Sequence, residues 1–330
     1  MNLAMLERSL PPPYLAGLAS EIVSSLTGTP ASSAEVLLRG MMTFKCRVRT
    51  AEGEDLIVRF YPNGRSAIVN HEPDLLARCR QLGFAVPQPV ADSRSGPPSP
   101  LAYLVYRRIE GRTLDEHLAD WREQQQPLLA QELAMQLHRM QTLDFEGAGE
   151  LVSARRARDT DWQAFASRSF HTGLDAIETH ALLPLPLRSA LRSLPPLAPS
   201  STAKHAHQLI WGDFNFGNIL VAEDGSLAGL IDFEGCLSGD PIATLGYGFA
   251  THGQHNFFDQ LLAAWPEALD QDALDAVAWY AVLRAMRIAI YAHLPLPTGR
   301  PRDPLLDILP GLLPAMHRLT GRPYYPKRTE

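Results

Sequence analysis

Residues 211–233 read WGDFNFGNILVAEDGSLAGLIDF. Apolar runs on either side of polar turns give a strand–loop–strand reading, and the loops gather Asp213, Asn218 and Asp232. Between 211 and 240 the chain carries six acidic side chains and not one Lys or Arg. Three oxygen-bearing side chains gathered near a turn, with no counter-charge inside the segment, require a cation. Asp and Asn are also ordinary turn formers, so one such pair would carry little. The weight rests on the whole string G-D-x-x-x-x-N-I-L-V…I-D-F.

That spacing suits phosphoryl transfer. Asn218 follows Asp213 by five residues and Asp232 follows Asn218 by fourteen, as in the D-x-x-x-x-N loop and the D-F dipeptide of kinases. The reaction needs a group to position the attacking hydroxyl, metal ions and a cation on the phosphates, and backbone to cover them. Asp213 is the candidate for the first task. Asn218 and Asp232 offer the hard oxygens that Mg²⁺ prefers, and that ion keeps waters and phosphate oxygens for its remaining positions. The chain has no G-x-x-x-x-G-K-[ST], which excludes a P-loop fold.

The segment resembles the aminoglycoside phosphotransferase and choline kinase-like family, whose members phosphorylate small-molecule hydroxyls. The matching residues are Gly212-Asp213, Gly217-Asn218-Ile219-Leu220-Val221, Ile231-Asp232-Phe233 and Gly239-Asp240-Pro241. The resemblance implies Asp213 as the catalytic Asp, Asn218 and Asp232 as Mg²⁺ ligands, and ATP or GTP as donor. It implies an α+β, bilobal protein-kinase-like fold. The sequence departs from the family at Trp211, where a His is usual, at Asn215, and at Thr244-Leu245-Gly246, where D-L-A is common.

Working outward, the N-terminal part reads as a helix near 13–26, strands in EVLLRG, TFKCRVRT and DLIVRFYP, a helix over HEPDLLARCRQLG, and strands in FAVPQPVA and LAYLVYRRI. This gives a small antiparallel-sheet lobe with one internal helix, placed at 1–108. After Gly111 the pattern turns helical, which gives a larger, mainly helical lobe at 109–330. By the resemblance, Arg59 in IVRFYP takes the place of the phosphate-holding cation, and Arg is chemically suited to that task. Glu72, thirteen residues on, would pair with it. Pro73 disfavours the helical region for the residue before it, so Glu72 is expected in the first turn, with Asn70 as cap. Gly40 and Thr43 fall where a phosphate-covering hairpin would lie, and backbone groups from Val105 to Arg107 would meet the base. His138 reads as a structural hydrogen-bonding residue.

The net charge of −6 argues against a nucleic-acid partner. Cys46, Cys79 and Cys236 are an odd number without C-x-x-C spacing, which fits a reducing compartment and no metal site. There is no signal-peptide pattern and no apolar run of membrane-spanning length, so a cytoplasmic protein is expected, as a monomer or weak homodimer. The expected partners are a nucleotide and a small-molecule hydroxyl acceptor: an antibiotic such as an aminoglycoside, or an amino alcohol, sugar or nucleoside-type natural product. Residues 151–210 hold 4 acids against 7 bases and 241–330 hold 8 of each, which is not the acidic wall a polycation needs. Trp279, Tyr280, Arg284, Arg287 and Tyr291 on one helix could face the acceptor or form a core stripe. A protein substrate is disfavoured because no A-P-E segment follows Asp232. The remaining alternative is a non-catalytic nucleotide-binding pseudokinase.

Overall fold

A computed structural model describes residues 10–37, 42–120, 126–197, 207–291 and 311–321. The N-terminal elements are α1 (Pro12–Thr27), β1 (Ala31–Leu37), β2 (Phe44–Thr50), β3 (Asp55–Tyr61), a 3₁₀ segment (Asn63–Asn70), α2 (Glu72–Gln81), β4 (Gln88–Asp92) and β5 (Ala102–Arg107). Pro12 pre-sets the first turn of α1, and Gly28 ends it in the left-handed conformation at φ 70°. The five strands form one antiparallel sheet in the order β1-β2-β3-β5-β4.

Strand alternation decides which side chains reach the cleft. On β3, Leu56, Val58 and Phe60 face outward and pack with Leu15, Ala19 and Ile22 of α1. Ile57 and Tyr61 face inward and join the main core, where α2 also lies. Arg59 shares the inward parity of Ile57 and Tyr61. On β2, Cys46 and Val48 belong to the outer cluster, and Lys45, of opposite parity, is the direct cross-strand partner of Arg59.

The larger part contains β6 (Arg112–Thr113), α3 (Leu114–Asp120), α4 (Gln126–Met140), β7 (Ala148–Leu151), β8 (Ala157–Asp159), α5 (Trp162–Thr179), α6 (Leu185–Arg192), β9 (Gln208–Ile210), a 3₁₀ turn (Phe216–Asn218), β10 (Ile219–Val221), β11 (Leu227–Leu230), β12 (Leu237–Gly239), α7 (Ala243–His252), α8 (Asn256–Ala263), α9 (Gln271–Tyr291) and α10 (Leu312–Thr320). Two short sheets, β11-β10-β6 and β8-β7-β12-β9, carry the 211–239 region. Helix α5 begins at Trp162, just after the short strand β8. Asp161 caps α5 by accepting from the N–H groups of Gln163 and Ala164.

Helix α9 packs on α7, α10 and α5. A cross-link of buried polar groups ties these elements together. The Trp162 indole donates to the Tyr280 hydroxyl at 2.8 Å, and that hydroxyl donates to Asp240 at 2.9 Å. The Asp of G-D-P therefore serves the architecture. The architecture is the bilobal kinase-like α+β arrangement. No described helix is long and apolar enough to cross a membrane, and the three cysteines are buried and unpaired.

Candidate active site

The segment 211–233 folds as strand, turn and hairpin, and each turn of backbone is secured by a side chain. The Trp211 N–H donates to the Thr244 hydroxyl at 3.0 Å. Gly212 runs so close to the next loop that an added Cβ would meet the Gly235 carbonyl oxygen at 1.8 Å. Asn215 accepts from the Gly217 N–H at 2.8 Å, and the Phe216 N–H donates to Nε2 of His252 at 3.0 Å. The His252 ring lies flat on Phe216, 3.7 Å between centroids. Burial lowers the His252 pKa to about 4, so at neutral pH it is the uncharged acceptor this bond needs.

Asn218 Nδ2 donates to Asp213 twice, to the backbone oxygen at 3.0 Å and to Oδ2 at 2.9 Å. Both partners can only accept, so the amide nitrogen must face Asp213 and the amide oxygen must point away from it. The β10–β11 hairpin then returns the chain to Asp232, a non-glycine residue at φ 68°. Its backbone oxygen accepts the Trp211 indole N–H at 3.3 Å, and that indole stacks between Phe214 and Phe233. The departures at Trp211, Asn215 and Thr244 thus all act in holding the loop.

The charged cluster crosses between the two lobes. Arg59 is 1% exposed. Its Nη1 lies 2.9 Å from Glu72, 3.2 Å from Asp232 and 3.9 Å from Glu234. Tyr61, two residues along β3, donates to the second Glu72 oxygen at 2.5 Å. The expected Arg59–Glu72 pair is present. Glu72 opens α2 as its first residue, but His71 holds the N-cap position and Asn70, the expected cap, closes the 3₁₀ segment.

Lys45 Nζ sits 2.9 Å from Asp232 Oδ2. Burial opposes the Asp232 charge, yet Arg59 and Lys45 outweigh it and hold that carboxyl below the usual carboxylate range. Burial and then the Asp232 charge push Glu234 up to about 7. Asp232 Oδ1 and Glu234 Oε2 are buried and ion-paired with Arg59, but neither accepts a hydrogen bond among the described residues. They are oxygens of the kind a hard cation takes, and Asn218 adds a neutral one. The described residues contain no group of three or more His, Cys, Asp or Glu placed to hold a metal. A Mg²⁺ carried in with phosphate oxygens does not need one.

A cleft of about 980 Å³ joins these groups. Lys45, Thr43, Asp213, Asn218, Asp232 and Glu234 line it, and Arg59 does not. Arg59 was expected to point into the cleft; it is instead sealed behind Lys45 by its three carboxylates. Val105 and Arg107 also differ from expectation. They have outward parity on β5, so Val105 packs in the outer cluster and Arg107 pairs with Glu54. Their positions are paired on both sides, with β3 and β4. The inward neighbours Tyr106 and Arg108, with Ile109 beyond, line the cleft. Thr43 is buried at the cleft edge, and Gly40 lies outside the described residues.

The helix stripe divides between both readings. Trp279 and Tyr280 are core, with the Trp279 indole donating to the Pro195 oxygen at 3.0 Å. Arg284 and Arg287 line the cleft, and the side chain of Tyr291 lies outside the described set. Arg284 Nη2 meets Asp213 Oδ1 at 2.5 Å. His138 sits beside Glu267 and Trp265, apart from the cleft. Sequence reading missed Lys45, Glu234 and the Arg284–Asp213 contact. Alternation from Arg59 through a paired strand could have found Lys45, and D-F-E itself names Glu234. Nothing local joins Arg284 to Asp213.

A model of the phosphotransferase enzyme family matches residues 37–283. A comparison with curated protein sequences returns no match. Among solved structures, the GDP complex of wild-type aminoglycoside 2'-phosphotransferase-IIIa superposes with a TM-score of 0.63 at 16% identity, covering 84% of this chain and 91% of that one. A thermostable aminoglycoside phosphotransferase APH(4)-Ia with ADP and hygromycin B gives 0.61 at 14% identity, covering 92% and 96%. The streptomycin-ATP-APH(2")-IIa complex gives 0.58 at 13%, covering 92% and 95%. At such identities the likeness is one of fold, while the family match spans most of the chain and both halves of the charged cluster. The chain belongs to the phosphotransferase enzyme family.

Proposed function

We propose that this phosphotransferase moves the γ-phosphate of ATP or GTP to a hydroxyl of a small molecule. The observation that carries the reading is the convergence of Asp213, Asn218 and Asp232 on one cleft with Lys45 beside them. The fold neighbours hold GDP, ADP with hygromycin B, or ATP with streptomycin, which supports a nucleoside triphosphate as donor.

In this reading the base lies between the lobes, against Ile57, Tyr106 and Ile109 above and Leu220 and Ile231 below. Its polar edge meets the backbone just past β5, because the ladder positions of Val105 and Arg107 are already paired. Lys45 is the cation that reaches the phosphates. Arg59 and Glu72 set the sheet and α2 in register behind it, and Thr43 lies at the edge of the phosphate site. Asn218 and Asp232, with Glu234 beside them, would hold Mg²⁺. When bound, that ion would neutralise phosphate charge.

Asp213 accepts the hydrogen bond of the acceptor hydroxyl and aims its oxygen at the γ-phosphorus. The new O–P bond forms as the bond to the β-phosphate oxygen breaks. The nucleoside diphosphate leaves with the electron pair, and the hydroxyl proton passes to Asp213. Asn218 fixes the rotamer of Asp213 by its bond to Oδ2.

Two measurements test this. Nucleotide titration with and without Mg²⁺ is expected to show metal-dependent binding. In a transfer assay across hydroxyl acceptors, Asp213→Ala is expected to lose about 10²–10⁴-fold in kcat with little change in nucleotide affinity. Undiminished transfer by that variant removes Asp213 from the role. Metal-independent binding, with no acceptor turned over, favours the pseudokinase alternative.

A further inference from the structure

Both carboxylate oxygens of Asp213 are served by the protein's own donors. Asn218 donates to Oδ2 at 2.9 Å and to the backbone oxygen of the same residue at 3.0 Å. Arg284, from α9, places Nη2 2.5 Å from Oδ1. The two donors differ in what they do. Asn218 stands five residues on in the same loop, and its two bonds already orient the Asp213 side chain. Arg284 arrives from 71 residues away and is not needed for that orientation.

The Arg284 contact is strong but single. It joins a guanidinium to a carboxylate, and a charge-assisted bond is roughly twice as strong as a neutral one. Only Nη2 takes part, so the two-bond fork open to an Arg is not formed. Asp213 is the one hydrogen-bond partner of Arg284 among the described residues. The Tyr247 ring, 5.8 Å from the guanidinium, backs it. The Asp213 side chain is 37% exposed, so water reaches the carboxylate. A base open to water is a liability in a phosphotransferase, because water can attack the γ-phosphorus in place of the acceptor.

We propose that Arg284 determines specificity for the acceptor against water. It occupies Oδ1, the oxygen that Asn218 leaves open, and yields it to a hydroxyl that arrives on a larger body. Water offers one neutral bond and does not displace the charged one. An acceptor is held beside Arg284 by the cleft walls Leu151, Val152 and Ile288. Its hydroxyl is therefore presented to Oδ1 at high effective concentration, and its bulk takes the space of the guanidinium. Because the contact is single, the guanidinium leaves Oδ1 without breaking a second bond. The inference rests on the phosphotransfer reading above and adds a specificity-determining residue to it. In the side reaction that Arg284 suppresses, the water oxygen bonds to the γ-phosphorus as the bond to the β-phosphate oxygen breaks. The nucleoside diphosphate leaves with the electron pair, and a water proton passes to Asp213.

Phosphate release from ATP and from GTP, with Mg²⁺ and no acceptor, tests this in the full chain without knowledge of the natural acceptor. Arg284→Met keeps the length of the side chain and removes its donors. It is expected to release phosphate about 10-fold faster than the wild type, the difference in scale between a charge-assisted and a neutral bond. Arg284→Lys, which keeps the charge on a single ammonium, is expected to fall between the two. Arg284→Met combined with Asp213→Ala is expected to return to the wild-type rate or below, because the faster hydrolysis runs through the freed carboxylate. Release unchanged or slower in Arg284→Met, or faster release that survives Asp213→Ala, overturns the inference. Should Arg284→Met not fold, Arg284→Lys decides, and no increase over the wild type overturns it. Calorimetric titration with Mg²⁺ and AMP-PNP separates the two readings. A variant that binds this analogue yet hydrolyses no faster removes the inference alone, whereas a wild type without metal-dependent binding removes the phosphotransfer reading with it.

Discussion

Arg59 and Lys45 divide between them a task that the sequence pattern assigns to one cation. Arg59 is fully buried and spends its charge on Glu72 and Asp232, whereas Lys45 lines the cleft. Breaking a buried ion pair by removing one member leaves an uncompensated charge and costs about 3–5 kcal/mol. Arg59→Met is therefore expected to lower stability by roughly that amount, read as a drop in melting temperature. Lys45→Met leaves Asp232 its ion pair with Arg59, so its stability loss is smaller. It should instead weaken nucleotide binding by about 10–100-fold, the scale of a lost charge-assisted contact. Should Arg59→Met fold normally and lose only nucleotide affinity, the two roles are reversed. Asp213, Asn218 and Asp232 were legible in the sequence because one short segment carries all three at fixed spacing. Lys45 was not, because its placement depends on the register of β2 against β3. Glu234 stands in plain view beside Asp232, but its burial between Arg59 and Arg65 emerges only in the folded chain.

At the scale of elements, the five strands of the N-terminal sheet and the long α9 were legible, because each repeats its apolar period over enough residues to be distinctive. Strands β6 to β12 have only two to four residues each. Such segments are fixed by partners distant in sequence, so no local period announces them. The T-L-G at 244–246 gains its meaning only from packing. Thr244 ties α7 to the loop at Trp211, and Gly246 lets α7 approach α9 until an added Cβ would meet the Tyr280 Cβ at 2.4 Å. Overpacking a contact between two helix backbones costs about 1–3 kcal/mol, which is the loss expected for Gly246→Ala in chemical denaturation. Because α9 also carries Arg284, the same variant should change the acceptor KM more than the nucleotide KM. Equal shifts in both constants would mean that the crossing does not set the acceptor side.

At the scale of the whole molecule, His71 and His252 are two of the described residues whose titration gives the stability a pH dependence. Burial holds His252 at about 4, and burial outweighs a backbone hydrogen bond to hold His71 at about 4. Each takes up a proton more readily in the unfolded chain, near 6.5. The contribution is therefore fully present above pH 6.5 and is lost as pH falls toward 4, by up to about 3 kcal/mol for each group. Melting temperature measured from pH 7.5 to 4.5 should fall through this window, and His252→Gln should flatten part of the slope; an unchanged slope assigns the acid loss elsewhere. A last consequence concerns the contacts of Lys45 with Asp232 and of Arg284 with Asp213. On the proposed reading, the protein seats its own ions where substrate groups would sit. Binding is then an exchange of partners rather than an addition of new ones, and affinity is the small difference between two similar sets of contacts. Discrimination among substrates thus falls to shape and charge placement, since attraction alone is largely cancelled before any ligand arrives.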